Sequence, residues 1–188
     1  MSEGIRGPII VFDNFFTSDQ CADIIQYAKR NEGIKAKVGG DVTDKQGILD
    51  ENIRKNNLYN ISSNYYAAAA MTGAAMNVNH DVFKFNITHA HQSDLLEYGP
   101  GGKFNPHIDS FISANAQDTR KLTTLLILNN EYEGGELSVY HQNGKATFTN
   151  KNKGALIIFP SYMMHGVVPV TSGIRYSMVN WLLGPSFI

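Results

Sequence analysis

The chain has 188 residues, enough for one domain with a sizeable core and a tight fit for two. Hydrophobic residues make up 43% and charged residues 18%, with a formal net charge of −1, which excludes extensive disorder and gives no electrostatic case for nucleic acid. The single cysteine, Cys21, excludes an internal disulfide framework and a thiolate-rich zinc site, and reads as a small apolar residue on a helix.

Met1 to Pro8 lacks the basic-then-apolar pattern of a signal peptide. The longest apolar runs, such as Ala155 to Pro160, are far too short to span a bilayer, so a cytoplasmic protein without membrane attachment is expected. Pro8 to Phe12 is a β-branched run that predicts a strand. Thr17 stands three residues before Gln20, a capping-box pattern ahead of an amphipathic helix from about Ser18 to Arg30 that Gly33 ends. Ile34 to Asn57 is polar and aperiodic, with short strands at Ile48 and Ile53; it reads either as a functional lid or as a plain insertion. Ile61 to Val78, with its alanines, predicts a second helix that packs closely.

From Phe83 the texture changes to short β-rich segments broken by Gly, Pro and Asn. Strands are expected near Phe83–Ala90, Asp94–Tyr98, Phe104–Phe111, Lys121–Leu128, Glu136–Tyr140, Lys145–Phe148, Ala155–Phe159, Met164–Pro169 and Arg175–Leu183. Asn143-Gly144 is a strong two-residue hairpin signal. This spacing argues for a mainly β fold with flanking helices, a cupin-like jelly roll. Residues 1–82 would be its helix and strand support and 83–188 its core, within a single domain 1–188.

His107 and Asp109 stand two positions apart, so on a strand both side chains would face one side and could grip one metal ion. An imidazole and a carboxylate are two thirds of the facial triad that holds ferrous iron. A lone His-x-Asp is weak evidence, but His165 supplies a downstream imidazole. Arg175 follows ten residues later, and an arginine deep in an apolar barrel needs an anionic partner such as a carboxylate. Together these read as a site for iron and a dicarboxylate.

The chain resembles the iron(II)/2-oxoglutarate-dependent dioxygenases, in their prolyl 4-hydroxylase-like branch that includes the PKHD-type hydroxylases. Five collinear blocks carry the resemblance: Tyr98 to Asp109, Arg120 to Asn129, Glu133 to Leu137, Lys153 to Pro160, and His165 through Arg175-Tyr176-Ser177 to Trp181. It implies a double-stranded β-helix in which His107, Asp109 and His165 bind iron and Arg175 pairs with the distal carboxylate of 2-oxoglutarate. Tyr98, Thr123 and Leu137 would line the co-substrate pocket and Trp181 would close it. Fe(II), 2-oxoglutarate and dioxygen are the implied cofactors, and ascorbate is compatible with them.

One position departs. Where many prolyl hydroxylases carry a tyrosine that bonds the 2-oxoglutarate carboxylate, this chain has Ile127, so Thr123 or Ser177 would supply the donor, or Arg175 would act with less help. The expected reaction is hydroxylation of a prolyl or other peptide or protein side chain, with release of succinate and CO2. The alternatives are an oxygenase of a free amino acid, nucleobase or other small molecule, and a non-catalytic metal-binding jelly roll. Arg54 reads either as a substrate contact at the rim or as an ordinary surface charge. His89 and His91 read as polar strand residues, His80 and His141 as surface, and Tyr162, Met163 and Met164 as pocket wall or core.

Overall fold

The computed structural model describes residues 9–39, 47–110, 118–141, 144–148 and 152–186, with 141 and 144–148 by backbone alone. Strand alternation organises the whole. The inward residues of β8 (Asp118–Ile127), β12 (Leu156–Pro160) and β15 (Arg175–Pro185) are Thr123, Leu125 and Ile127, then Ile157 and Phe159, then Ser177, Val179 and Trp181. The alternate residues Leu122, Leu126, Leu156, Ile158, Met178 and Leu182 face the other way, into a second cluster beneath the helices. Hence these strands read as continuous apolar runs buried on both faces.

The larger sheet runs β1 (Ile10–Phe12), β12, β8, β15, β6 (Ser93–Tyr98), β4 (Asn57–Ile61) and β2 (Ile34–Lys35), with β5 (His89–Ala90) paired to β15. The smaller runs β11 (Gly144–Phe148), β10 (Leu137–His141), β13 (His165–Val167), β7 (Lys103–His107) and β3 (Arg54–Lys55). A separate two-stranded ribbon joins β14 (Val170–Gly173) to β9 (Tyr132–Gly134). Two sheets face to face, closed by such crossovers, form the expected double-stranded β-helix.

Helix α1 (Ser18–Ala28) starts at the expected capping box: Gln20 N donates to Thr17 Oγ1 at 3.3 Å and Thr17 N to Gln20 Oε1 at 2.9 Å. It buries Cys21, Ile24 and Ala28, and burial pushes the Cys21 thiol up, as expected for an inert apolar role. Helix α2 spans Tyr66–Val78, shorter than expected at its start: Ile61 ends the strand that pairs with β6, and a turn over 62–65 precedes the helix. Its alanines Ala67, Ala68 and Ala75 let it lie close on the sheet, where Asn180 Nδ2 donates to Thr72 Oγ1 at 2.9 Å.

The strand expected over Phe83–Ala90 is reduced to β5. A π-helical turn, Asn79–Phe83, extends α2, and the Asn79 side chain clamps both the N–H and the carbonyl of Phe85 at 2.9 Å. β10 and β11 pair with His141 opposite Gly144, so Gly144 is already in the strand. Asn143 lies outside the described residues, as does part of the stretch Ile34–Asn57. Within that stretch, Ile48 makes an isolated bridge with Val38.

Candidate metal centre and its cavity

A cavity of about 380 Å³ lies between the two sheets. It is lined by His107, Asp109, His165, Tyr98, Thr123, Leu137, Ser177, Arg175, Trp181 and Arg54, so the structure brings every expected site residue to one place. A larger groove of about 690 Å³ between α1 and β2 is open, and Glu32 is its one charged wall residue.

β13 and β7 pair antiparallel with His165 opposite His107, which sets the two rings 4.4 Å apart. Nδ1 of His107 lies 2.8 Å from the Asn105 carbonyl, and Nδ1 of His165 lies 2.9 Å from the Met163 carbonyl. A carbonyl only accepts, so Nδ1 carries the proton in each ring and Nε2 turns toward Asp109. Nε2 of His107 is 3.5 Å from Asp109 Oδ1, and Nε2 of His165 is 3.4 Å from Oδ2. The three ligand atoms lie within 4.8 Å of one another and could hold a metal ion.

Asp109 does not reach this position by strand alternation, since β7 ends at His107. It is caught from outside the strand: its N–H donates to Ser161 O at 2.9 Å, and its Oδ2 accepts from Thr123 Oγ1 at 2.8 Å and Trp181 Nε1 at 2.9 Å. The hydroxyls of Thr123 and Ser161 also bond, at 2.9 Å. Thr123 and Trp181 therefore do more than wall a pocket; they orient the carboxylate. Burial alone would raise Asp109, but the charges and hydrogen bonds of His165 and His107 outweigh it and hold the carboxyl well below its usual range. Burial lowers His107 against the pull of Asp109, with His165 adding to the lowering. For His165 burial is outweighed by Asp109, and the imidazole is raised.

Arg175 opens β15 opposite Tyr98 and is only 1% exposed. Its Nη1 donates to Ser177 Oγ at 2.7 Å, while Nε and Nη2 are buried with no hydrogen-bond partner among the described residues. Gly135, at φ +68°, makes room for it: a Cβ there would stand 3.0 Å from Arg175 Cδ. A buried guanidinium with two unmatched donors fits an anionic ligand, and a carboxylate suits its fork. The donor set at Asp109 and the unmatched edge of Arg175 thus fit a metal ion and a carboxylate co-substrate.

Arg54 is held rather than free at the surface. Its Nε donates to Asn56 Oδ1 at 2.8 Å and its guanidinium lies 4.5 Å from the Phe104 ring centroid; that ring stacks on His107 at 3.6 Å. Three charged wall residues escaped the sequence reading: Lys37, Asp94 and Arg120. Asp94 shares its strand face with Leu96 and Tyr98, so the two-residue period from Tyr98 could have found it. Arg120 could not be read: the β8–β15 register shifts between Leu182 and Leu183, and this bulge turns Arg120 inward over Trp181, 3.9 Å from its ring centroid. Tyr162 and Met164 are about half exposed, not wall or core, while Met163 is buried. His89 and His91 join no metal-binding group among the described residues. The side chain of His141 lies outside them.

A double-stranded β-helix with a His-x-Asp…His cluster facing an arginine defines the facial-triad class of jelly-roll proteins. Residues 93–183 match the family described as the 2OG-Fe(II) oxygenase superfamily. Over these residues, just under half of the chain, the sequence is similar to that superfamily, and the relatives that match the same stretch are PKHD-type hydroxylases. A PKHD-type hydroxylase of Shewanella oneidensis is 37% identical over 89 residues, covering 45% of this chain and 39% of that protein. One from Synechococcus sp. strain JA-3-3Ab is 32% identical over 89 residues, with the same coverage, so the chain spans about two fifths of the relatives' length. Among solved structures, a Pseudomonas putida prolyl-4-hydroxylase superposes with TM-score 0.72 at 21% identity, covering 94% of this chain and 93% of that one. A viral collagen prolyl hydroxylase from Paramecium bursaria Chlorella virus-1, in its 2OG complex, gives 0.73 at 16% identity over 96% and 99%. These likenesses bear out the fold.

Proposed function

We propose that the chain is an iron(II)- and 2-oxoglutarate-dependent dioxygenase that hydroxylates a substrate C–H bond, releasing succinate and CO2. One observation carries this reading: a buried arginine with two unmatched donors shares a cavity with three side chains that could hold a metal ion. A bare metal-binding jelly roll has no use for such a receptor, because an unpaired buried guanidinium only destabilises it.

Bound iron(II), with 2-oxoglutarate and dioxygen, would supply the oxidising chemistry. The residues do the rest. His107, Asp109 and His165 would grip the ion from one side. Thr123 and Trp181 fix the carboxylate through its Oδ2, and the carbonyls of Asn105 and Met163 fix the ring tautomers. Arg175 would take the distal carboxylate of 2-oxoglutarate. Ser177 would supply the donor missing at Ile127: it accepts from Arg175, which leaves its own proton to donate, whereas the Thr123 hydroxyl is engaged at Asp109 and Ser161. Burial raises the Tyr98 phenol, which keeps it protonated beside this pocket.

A peptide substrate is supported by analogy: a Trichoplax adhaerens prolyl hydroxylase was solved with a peptide fragment of hypoxia inducible factor, at 19% identity. No described helix is long and apolar enough to cross a membrane. The test is succinate formation from 2-oxoglutarate with iron(II). Wild type should form it and His107→Ala should not; no succinate from either would refute the proposal.

A further inference from the structure

β7 carries a proline, Pro106, although it is an inner strand between β13 and β3, a place where proline is tolerated only at a bulge. The pairing with β13 supplies the bulge. His107 lies opposite His165 and Phe104 opposite Val167, so three steps on β7 face two on β13. Gly166 makes room for the extra residue. A Cβ there would stand 2.8 Å from the Phe104 carbonyl oxygen and 3.1 Å from Pro106 N. Asn105 ties the bulge to the chain before β3: its N–H donates to Ile53 O at 2.9 Å and its Nδ2 to Asn52 O at 3.2 Å.

The bulge decides which side chains meet. Residues three apart on a regular strand face opposite sides, yet Phe104 and His107 both line the cavity. Their rings stack at 3.6 Å with 19° between the planes. Arg54, opposite Phe104 on β3, lays its guanidinium over the same ring, with Cζ 4.5 Å from the centroid. Its Nε donates to Asn56 Oδ1 at 2.8 Å and its Nη1 to the Lys37 carbonyl at 3.4 Å, which anchors it there. His107 needs such support more than His165, since its side chain is 22% exposed against 8%. The Nδ1 hydrogen bond to the Asn105 carbonyl fixes its tautomer but leaves the ring plane to the soft χ2 torsion.

We propose that Phe104 and Arg54 are positioning residues for the metal: the Phe104 ring, steadied by Arg54, sets the plane of the His107 imidazole so that Nε2 turns toward Asp109. This rests on the reading of His107, Asp109 and His165 as metal ligands and adds two residues that touch no metal. Arg54 acts through the ring, so its contribution exists only while the ring is there. It is neither an ordinary surface charge nor a group whose effect is confined to substrate.

The test uses the intact chain and Co(II), whose visible absorption reports coordination geometry, with affinity read by competition with a chelator. Phe104→Leu, which keeps an apolar side chain without a flat face, should weaken Co(II) binding about tenfold and change the absorption. Phe104→Tyr keeps the ring and should retain wild-type affinity and absorption. Arg54→Met should weaken Co(II) about two- to fivefold, the worth of one exposed cation–π contact. The double variant Arg54→Met/Phe104→Leu should bind no more weakly than Phe104→Leu alone, because the arginine then has no ring to act through. Arg54→Met leaves the ring in place, so this arm is read even if Phe104→Leu lowers Tm. Wild-type affinity and absorption in Phe104→Leu, or fully additive losses in the double variant, overturn the proposal. No Co(II) binding by wild type overturns the metal centre itself, and the proposal with it.

Discussion

Replacing Arg175 with methionine should stabilise the ligand-free protein while removing its affinity for 2-oxoglutarate. Nε and Nη2 are buried donors with no hydrogen-bond partner among the described residues, and each such group costs about 1–3 kcal/mol. Against this stands the Nη1–Ser177 hydrogen bond at 2.7 Å, which as a bond to a charged group contributes about 1.5–3 kcal/mol. The difference leaves a net gain of about 0–3 kcal/mol for a side chain of similar length, in line with the general result that apolar replacement of buried charge is neutral or favourable. For a chain of this size each kcal/mol moves Tm by about 2–4 °C. For the co-substrate, two lost charge-assisted hydrogen bonds amount to about 3–6 kcal/mol, or roughly 10²- to 10⁴-fold in Kd. Arg175 bonds no member of the triad, so the affinity for Mn(II) should hold.

The assay is thermal unfolding of the ligand-free variant beside calorimetry of Mn(II) and of 2-oxoglutarate. Opposite signs in stability and co-substrate affinity are the signature of a receptor rather than a structural arginine. Co-substrate affinity within threefold of wild type would refute the reasoning. Loss of metal and co-substrate together with a lowered Tm would do so as well.

Trp181→Phe removes one of the two donors to Asp109 Oδ2 and should weaken metal binding about 10- to 100-fold, measured by competition with a chelator; unchanged affinity would mean that the carboxylate needs no such support. Burial raises the Asp94 carboxyl from 3.8 to about 6 against the pull of Arg54 and Arg120. The folded state therefore keeps this proton longer than the unfolded chain, and ionisation destabilises the fold as pH rises from about 4 to 6. Asp94→Asn should thus be more stable than wild type by up to about 3 kcal/mol at pH 7, with the gain vanishing near pH 4; a pH-independent difference in urea unfolding would contradict this. Thr17→Ala breaks the capping box and should cost about 1 kcal/mol, with Thr17→Ser close to wild type by the same measurement.

Much of the fold was legible because its determinants are local. The capping box at Thr17 marks the start of α1, and strong two-sided apolar runs mark β8, β12 and β15. What failed was decided at a distance. Asn57–Ile61 has no strand signal of its own and becomes a strand because β6 and β2 offer partners on its two sides. Phe83–Ala90 has β-branched and aromatic residues, yet the Asn79 side chain takes the backbone groups of Phe85 that a strand would need. At the site, residue types and order pointed to the triad and Arg175. Arg120 stayed hidden because a single bulge overrides the two-residue period that any sequence reading must assume.

The geometry of Asp109 shows why the His-x-Asp motif alone has little specificity. Its two residues do not share a strand face; His107 closes β7, and the carboxylate beyond it is positioned by Ser161 after β12, Thr123 on β8 and Trp181 on β15. The same alternation that sends Thr123 and Trp181 inward sends Leu122 and Leu182 out beneath the helices. A change in the packing of the outer cluster that shifted either strand by one residue would therefore exchange these side chains and leave the carboxylate without its donors. Metal affinity at this cluster would therefore depend on the registers of β8 and β15 as well as on the ligands.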